Sequence, residues 1–121
     1  MVSLKIYRDK VILFTEISGK EYESAHPVTV SGSRIERELK VILEGLGYIN
    51  RPVDLEVYTD VDLIVTAFRE GWVENWVKNG WKKPNGKPVK NAALWAEVLR
   101  KLNVHRFSVK KKNIGKGKED E

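Results

Sequence analysis

The segment GWVENWVKNGWKKPNGKPVKN, residues 71–91, holds three of the four tryptophans of the chain, together with five lysines and one acidic residue. Tryptophan side chains are usually largely buried, whereas lysine side chains are usually exposed. Trp72 and Trp76 are four residues apart, which places both on one face of a helix. Gly80 ends this helix, and the glycine and prolines that follow predict an irregular basic loop from Lys82 to Lys90. The segment therefore predicts a tryptophan-bearing helix that supports a lysine-rich loop.

The composition of the whole chain is typical of one soluble globular domain. Its 121 residues are 41% hydrophobic and 32% charged, which is enough to bury a single core. The absence of cysteine excludes disulfides and thiolate metal sites. Because nothing near the start resembles a signal peptide and no apolar run reaches membrane-spanning length, we expect a cytoplasmic protein with no membrane partner.

The charge of the chain is unevenly distributed. The net charge is +5, and residues 100–118 carry eight Lys or Arg and no Asp or Glu. A basic region of this kind favours a polyanionic partner, with a merely solvated surface as the alternative.

The remaining sequence predicts an α/β domain. Strands are predicted at residues 3–7, 11–17, 21–30, 53–59 and 104–110, and helices at 35–46, 60–69, around 72–76 and at 91–102. Short joints between the first three strands predict an antiparallel meander. Helices and strands then alternate, which predicts a mixed five-stranded sheet with added parallel strands and helices packed on it.

Several strings resemble the type 1 ribonuclease H family over about residues 4–110. They are EVYTDVDLIV (56–65), SRIERELKVILEGL (33–46), GKEYESAHPVTVSGSRIE (19–36), KPVKNAALWAEVL (87–99) and the segment quoted first. The resemblance implies a ribonuclease H-like sheet with the first strand in the centre and catalysis at the ends of the central strands. It places a domain over residues 1–110 with a basic protrusion at about 71–91. Residues 111–121, which are charged and nearly devoid of apolar side chains, are expected to form a flexible tail.

The resemblance also implies an activity: a metal-dependent endonuclease that hydrolyses the RNA strand of RNA/DNA hybrids with two Mg²⁺ or Mn²⁺ ions. Such chemistry needs several carboxylates at one point. Asp60 and Glu36 match two of the family's carboxylates, and Asp9 matches a third. Each has a structural alternative, because Asp60 could cap its helix, Glu36 could complete a capping box with Ser33, and Asp9 could lie in a hairpin turn. A second alignment offers Glu16 in place of Asp9.

The end of the sequence departs from the family pattern. Lys112 stands at the position of the family's loop histidine, and no final helix is predicted after it. The fourth carboxylate would have to come from the terminal acidic cluster of Glu119, Asp120 and Glu121, of which Asp120 is the candidate metal ligand. A catalytically degenerate module that binds RNA/DNA hybrid or another duplex on the same fold is therefore the alternative function.

In the family the basic protrusion holds the DNA strand of the hybrid. The resemblance implies nucleic-acid contacts from the serines and arginine before the first helix, from two tryptophans, and from the protrusion's lysines and asparagine. These residues are Ser31, Ser33, Arg34, Trp72, Lys78, Trp81, Lys82, Lys83, Lys87, Lys90 and Asn91. We expect Trp72 and Trp76 to pack inward, Trp81 to brace the loop, and the lysines to point outward along a phosphate backbone.

Overall fold

The computed structural model describes residues 1–112 and consists of one sheet with four helices in that range. The strands are β1 (Val2–Ile6), β2 (Lys10–Ile17), β3 (Lys20–Pro27), β4 (Asp54–Thr59) and β5 (Arg106–Lys111). The helices are α1 (Arg34–Leu46), α2 (Asp62–Arg69), α3 (Trp72–Lys78) and α4 (Ala92–Leu102). Within this range no helix is long and apolar enough to cross a membrane.

The sheet has the order β3-β2-β1-β4-β5. Strands β1, β2 and β3 form the antiparallel meander, whereas β4 pairs in parallel with both β1 and β5. The predicted mixed sheet with the first strand in its centre is therefore confirmed. Because these three strands are parallel, the C-terminal ends of β1, β4 and β5 lie side by side at one end of the sheet.

The core lies between the sheet and the helices, and α1, α2 and α4 all contribute buried side chains to it. The β1 side chains Val2, Leu4 and Ile6 are all buried, as expected for alternate residues of a central strand. Ile35, Leu39, Ile42 and Leu46 are spaced as the apolar stripe of an amphipathic helix. This stripe of α1 faces the sheet, with Leu39 and Ile42 almost fully buried. The burial of this stripe fixes the rotation of α1 about its axis. The rotation decides which polar residues of α1 reach the C-terminal ends of the strands.

A close helix–sheet contact occurs at Gly45. A Cβ at this position would lie 2.9 Å from the Val11 side chain, so glycine lets α1 approach β2 directly. The sequence predicts that Gly45 and Gly47 end α1 together, but the helix continues through Gly45 and its C-cap is Gly47.

The basic loop differs from the prediction. The sequence predicts an irregular segment at residues 82–90, yet Lys82 and Pro88 form an antiparallel bridge, which makes the segment a hairpin. Its turn is closed by the Gly86 amide, which donates to the Lys83 carbonyl at 2.9 Å. Gly86 has φ 84°, a left-handed conformation that favours glycine.

The end of the domain also differs from the prediction. Strand β5 extends to Lys111, and Lys112 is only 9% exposed. The first two residues of the predicted tail therefore belong to the folded domain, because Lys111 continues the pairing with β4 and the Lys112 amide donates to the Thr59 carbonyl at 2.8 Å.

Candidate functional site

Two regions of the structure are candidates for a functional site. The first is the strand-end cluster, which we define as Tyr7, Glu38, Thr59, Asp60 and Lys112 at the common end of β1, β4 and β5. The second is the cleft between the start of α1 and the hairpin of residues 82–90.

Asp60 lies directly after β4 and remains partly exposed, with 37% of its side chain accessible. It does not cap the helix that follows, because the N-cap of α2 is Val61. The capping alternative for Asp60 is therefore not adopted, and its carboxylate is directed to the strand-end cluster, where it contacts Lys112.

The Lys112 ammonium fills the centre of this cluster. Its Nζ lies 3.3 Å from Oδ2 of Asp60 and donates to the Ile6 carbonyl at 2.8 Å. The same Nζ lies 3.5 Å from the centre of the Tyr7 ring, in a cation–π contact. One lysine thus connects the ends of all three parallel strands, a role that its position in a run of three lysines did not reveal.

Glu38 is the residue that the sequence analysis missed. Its carboxylate accepts a hydrogen bond from the fully buried Thr59 hydroxyl, which in turn accepts one from the Val61 amide at 3.1 Å. Burial raises the pKa of Glu38, while the Thr59 hydrogen bond and the charge of Lys112 oppose this rise. A signal was present, because Glu38 lies three residues after Ile35 and four before Ile42, on the border of the apolar stripe.

Glu36 is engaged elsewhere. Its amide donates to the Ser33 hydroxyl at 3.2 Å, and its carboxylate accepts from the Ser33 amide at 3.3 Å, which completes a capping box. It also forms an ion pair with Lys40 at 3.3 Å. The Ser33 hydrogen bond and Lys40 lower the pKa of Glu36, so its carboxylate is held in the charged form at the start of α1.

Asp9 lies in the exposed turn between β1 and β2, where its carbonyl accepts from the Val28 amide at 2.8 Å. The pairing of Lys5 with Tyr58 fixes the register of β1 against β4. Two residues further on, this register brings Tyr7, and not Asp9, beside Asp60. The competing Glu16 donates its amide to the Met1 carbonyl, so it lies near the start of β1, at the opposite end of the strand.

The carboxylates predicted as metal ligands are therefore not assembled. In the part of the chain that the structure describes, no group of three or more His, Asp or Glu side chains could hold a metal ion. Asp120, with its neighbours Glu119 and Glu121, lies outside the described residues. The strand-end cluster offers Asp60 and Glu38 with a lysine ammonium against Asp60, and this donor set does not fit a two-metal centre, which requires several converging carboxylates.

Unlike the predicted metal ligands, many of the residues predicted to contact nucleic acid lie close together. A cleft of about 560 Å³ lies between the start of α1, helix α3 and the hairpin. Six of the predicted contact residues line it, namely Ser33, Arg34, Trp72, Lys83, Lys90 and Asn91. Its apolar lining includes Trp76 and the buried Trp95. The cleft thus combines aromatic surface with the cations of Arg34, Lys83 and Lys90. Among the other predicted contacts, the Ser31 carbonyl accepts from Lys40 beside the start of α1.

The lysines of the protrusion are all exposed: Lys78, Lys82, Lys83, Lys87 and Lys90. Six ion pairs are formed among residues 1–112, and none of them uses these five side chains. Their ammonium groups are therefore not engaged in ion pairs within the described domain.

Tryptophans organise the base of the protrusion. Trp76 packs edge-on against Trp95 at 5.3 Å between ring centres, and it also contacts Trp72 and Trp81. The backbone of Trp81 joins the hairpin to α3, because its amide donates to the Trp76 carbonyl and its carbonyl accepts from the Val89 amide. The expectation that Trp72 packs inward is wrong: its side chain is at the edge of the aromatic cluster and remains 40% exposed.

Comparisons with known proteins agree with this fold. The RNase H family model matches residues 11–117. A ribonuclease H of Thermus thermophilus is 40% identical over 88 residues, which are 69% of this chain and 53% of that protein. The chain thus spans about half the length of this relative.

Solved structures with a similar fold come from more distant sequences. The solution structure of the PFV RNase H domain superposes with a TM-score of 0.68 at 11% identity, over 99% of this chain and 82% of that one. A foamy viral protease-reverse transcriptase in complex with RNA/DNA hybrid superposes with a TM-score of 0.60 at 12% identity, over 92% of this chain and 17% of that one. At such identities the likeness concerns the fold alone. The family model, however, spans nearly the entire sequence, and the chain belongs to the RNase H family.

Proposed function

We propose that this chain binds RNA/DNA hybrids through the cleft between α1 and the hairpin, with the DNA strand along the protrusion. The observation that carries the proposal is the convergence of six predicted contact residues on one cleft. They come from two segments far apart in the sequence, residues 33–34 and residues 72–91, which only the fold brings together.

The chemistry of the cleft fits a nucleic-acid duplex. Exposed lysines without carboxylate partners in the described domain give affinity for phosphates that does not depend on sequence. The partly exposed Trp72 offers an aromatic face at the mouth of the cleft, suited to a sugar or base edge. The hydroxyl of Ser33, the Arg34 guanidinium and the Asn91 amide add hydrogen-bonding groups for the other strand. The foamy viral relative was solved with RNA/DNA hybrid, which is the ligand that we transfer to this chain.

The test is the salt dependence of hybrid binding, measured by fluorescence anisotropy with labelled RNA/DNA duplexes of two unrelated sequences. Replacing Lys82, Lys83 and Lys87 together with Ala should weaken binding equally for both. It should also reduce the slope of log affinity against log salt by roughly 0.9 for each phosphate that the protein no longer neutralises.

A matched control removes the same charge elsewhere. The control replaces Lys20, Arg51 and Arg100 with Ala. These exposed residues lie near the other end of the sheet from the strand-end cluster, so the variant should keep the wild-type slope. Equal slopes for the loop variant, the control variant and the wild type would refute a phosphate-binding role for the hairpin.

Hydrolysis of the RNA strand is the second candidate function, and it is favoured by the hydrogen bond that holds Glu38 on Thr59, the residue directly before Asp60. Under this alternative a labelled hybrid is cleaved in Mg²⁺ or Mn²⁺, and Asp60→Asn abolishes cleavage while binding persists. If the wild-type protein binds the hybrid but does not cleave it with either metal, the chain is a binding module. If Asp60→Asn still cleaves the hybrid, the strand-end cluster does not take part in the reaction.

A further inference from the structure

Lys112 differs from the two lysines before it in the chain. Lys110 pairs with Glu56 and Lys111 with Asp62, and both side chains stay about half exposed, at 49% and 51%. The side chain of Lys112 is only 9% exposed. Burying an ammonium is unfavourable unless it is paired and hydrogen-bonded, so the surroundings of Lys112 must compensate for its lost hydration.

The strand-end cluster supplies that compensation. An ammonium has three N–H bonds to donate, and Lys112 has three neighbours: the Asp60 carboxylate, the Ile6 carbonyl and the Tyr7 ring. Two of these neighbours are oxygen ligands of the kind that a hard divalent cation prefers. The ammonium therefore occupies the space between the oxygen atoms that such a cation would need.

We propose that Lys112 is a built-in cation of the strand-end cluster, which neutralises Asp60 in place of a divalent metal ion and keeps metal out of this position. The geometry favours this assignment, since Lys112 pairs with Asp60 and the carboxylate of Glu38 is held on the neighbouring Thr59. A divalent ion entering beside Asp60 would have to displace the ammonium or accept its repulsion. The proposal does not depend on hybrid binding, because it concerns only the residues at the strand ends.

The experiment measures Mn²⁺ binding by electron paramagnetic resonance of the free ion, using the full chain. The Lys112→Met variant keeps the length of the side chain but removes its charge. We expect it to bind one Mn²⁺ more tightly than the wild type, by on the order of ten-fold or more. Asp60→Asn added to Lys112→Met should abolish this gain, which separates the strand-end position from any acidic residues elsewhere.

The matched control is Lys110→Met, which removes the same charge two residues earlier from a half-exposed side chain that pairs with Glu56 and not with Asp60. It should bind Mn²⁺ as the wild type does. Thermal melts give a second readout: we expect Mn²⁺ to raise the Tm of Lys112→Met relative to chelator, at matched ionic strength. The wild type and Lys110→Met should melt at the same temperature with and without Mn²⁺.

Two results would overturn the proposal. If wild-type protein binds Mn²⁺ at a site that Asp60→Asn removes, Lys112 does not exclude metal; this measurement decides even if Lys112→Met fails to fold. If Lys112→Met folds with a lowered Tm and gains no Mn²⁺ site, the lysine only supports the ends of the strands.

Discussion

At the residue scale, Glu38 of α1 takes the place at the strand ends that the family resemblance assigns to Glu36. Glu36 matches the family string, yet it completes the capping box with Ser33. Glu38, two residues later, faces the opposite way and reaches Thr59 at the end of β4. Residues two apart on a helix point in nearly opposite directions, so the rotation of α1 on the sheet decides which glutamate reaches the strand ends.

Variants of Trp72 and Trp76 separate a role in packing from a role in hybrid binding. Trp76 contacts three other tryptophans but is only partly buried, so Trp76→Ala should lower the free energy of unfolding by about 3 kcal/mol, the low end for a tryptophan. Trp72 is 40% exposed, and Trp72→Ala should cost about 1 kcal/mol or less. Under our proposal Trp72→Ala nonetheless weakens hybrid binding at a temperature where both proteins are folded.

Urea denaturation gives the stabilities of these two variants, and anisotropy gives their affinities. A larger loss of stability for Trp72→Ala than for Trp76→Ala would contradict the packing described above. Unchanged hybrid affinity in Trp72→Ala would remove this residue from the proposed contact surface.

At the element scale, local sequence accounts for the start of α1 and for the turn of the hairpin. Ser33 and Glu36 have the spacing of a capping box, and the structure contains that box. Gly86 adopts the positive φ that the hairpin turn needs. The hairpin itself was not predicted, because its single bridge joins Lys82 to Pro88 and leaves no alternating pattern to recognise.

Ser33→Ala tests the capping box. It removes the hydroxyl that accepts from the Glu36 amide, and should lower the free energy of unfolding by about 1 kcal/mol in urea denaturation. Ser31→Ala is the matched control, two residues earlier and also exposed. Ser31 enters the hydrogen bonds of the described domain through its carbonyl, which Lys40 contacts, so its hydroxyl should matter little. A Ser31→Ala loss as large as that of Ser33→Ala would argue against the cap.

At the scale of the whole molecule, the sheet order separates a protected centre from an exposed edge. Strand β1 lies between β2 and β4, and its three inward side chains are buried. Strand β3 is at the edge, and most of its residues are exposed. Charged residues such as Lys20, Glu21 and Glu23 on β3 also disfavour pairing with another chain.

This arrangement predicts a gradient of hydrogen exchange. The amides of Leu4 and Ile6 should exchange only through global unfolding, whereas those of β3 that point to the open edge should exchange at least about 100-fold faster. Mass spectrometry of peptides covering β1 and β3 measures the difference under native conditions. Equal protection of the two strands would mean that the edge of the sheet is covered.

The class of the fold and the central place of the first strand could be inferred from the sequence, because hydrophobic periodicity and the family strings are properties of short segments. Six of the residues that line the cleft could be inferred in the same way, although the fold had to assemble them from two separate segments. The strand-end cluster, in contrast, arises from tertiary structure. The register of β1 against β4 places Tyr7 beside Asp60, the rotation of α1 brings Glu38 to Thr59, and the end of β5 carries Lys112 to Ile6. Such contacts depend on how distant elements are aligned to within one residue, which no local pattern specifies.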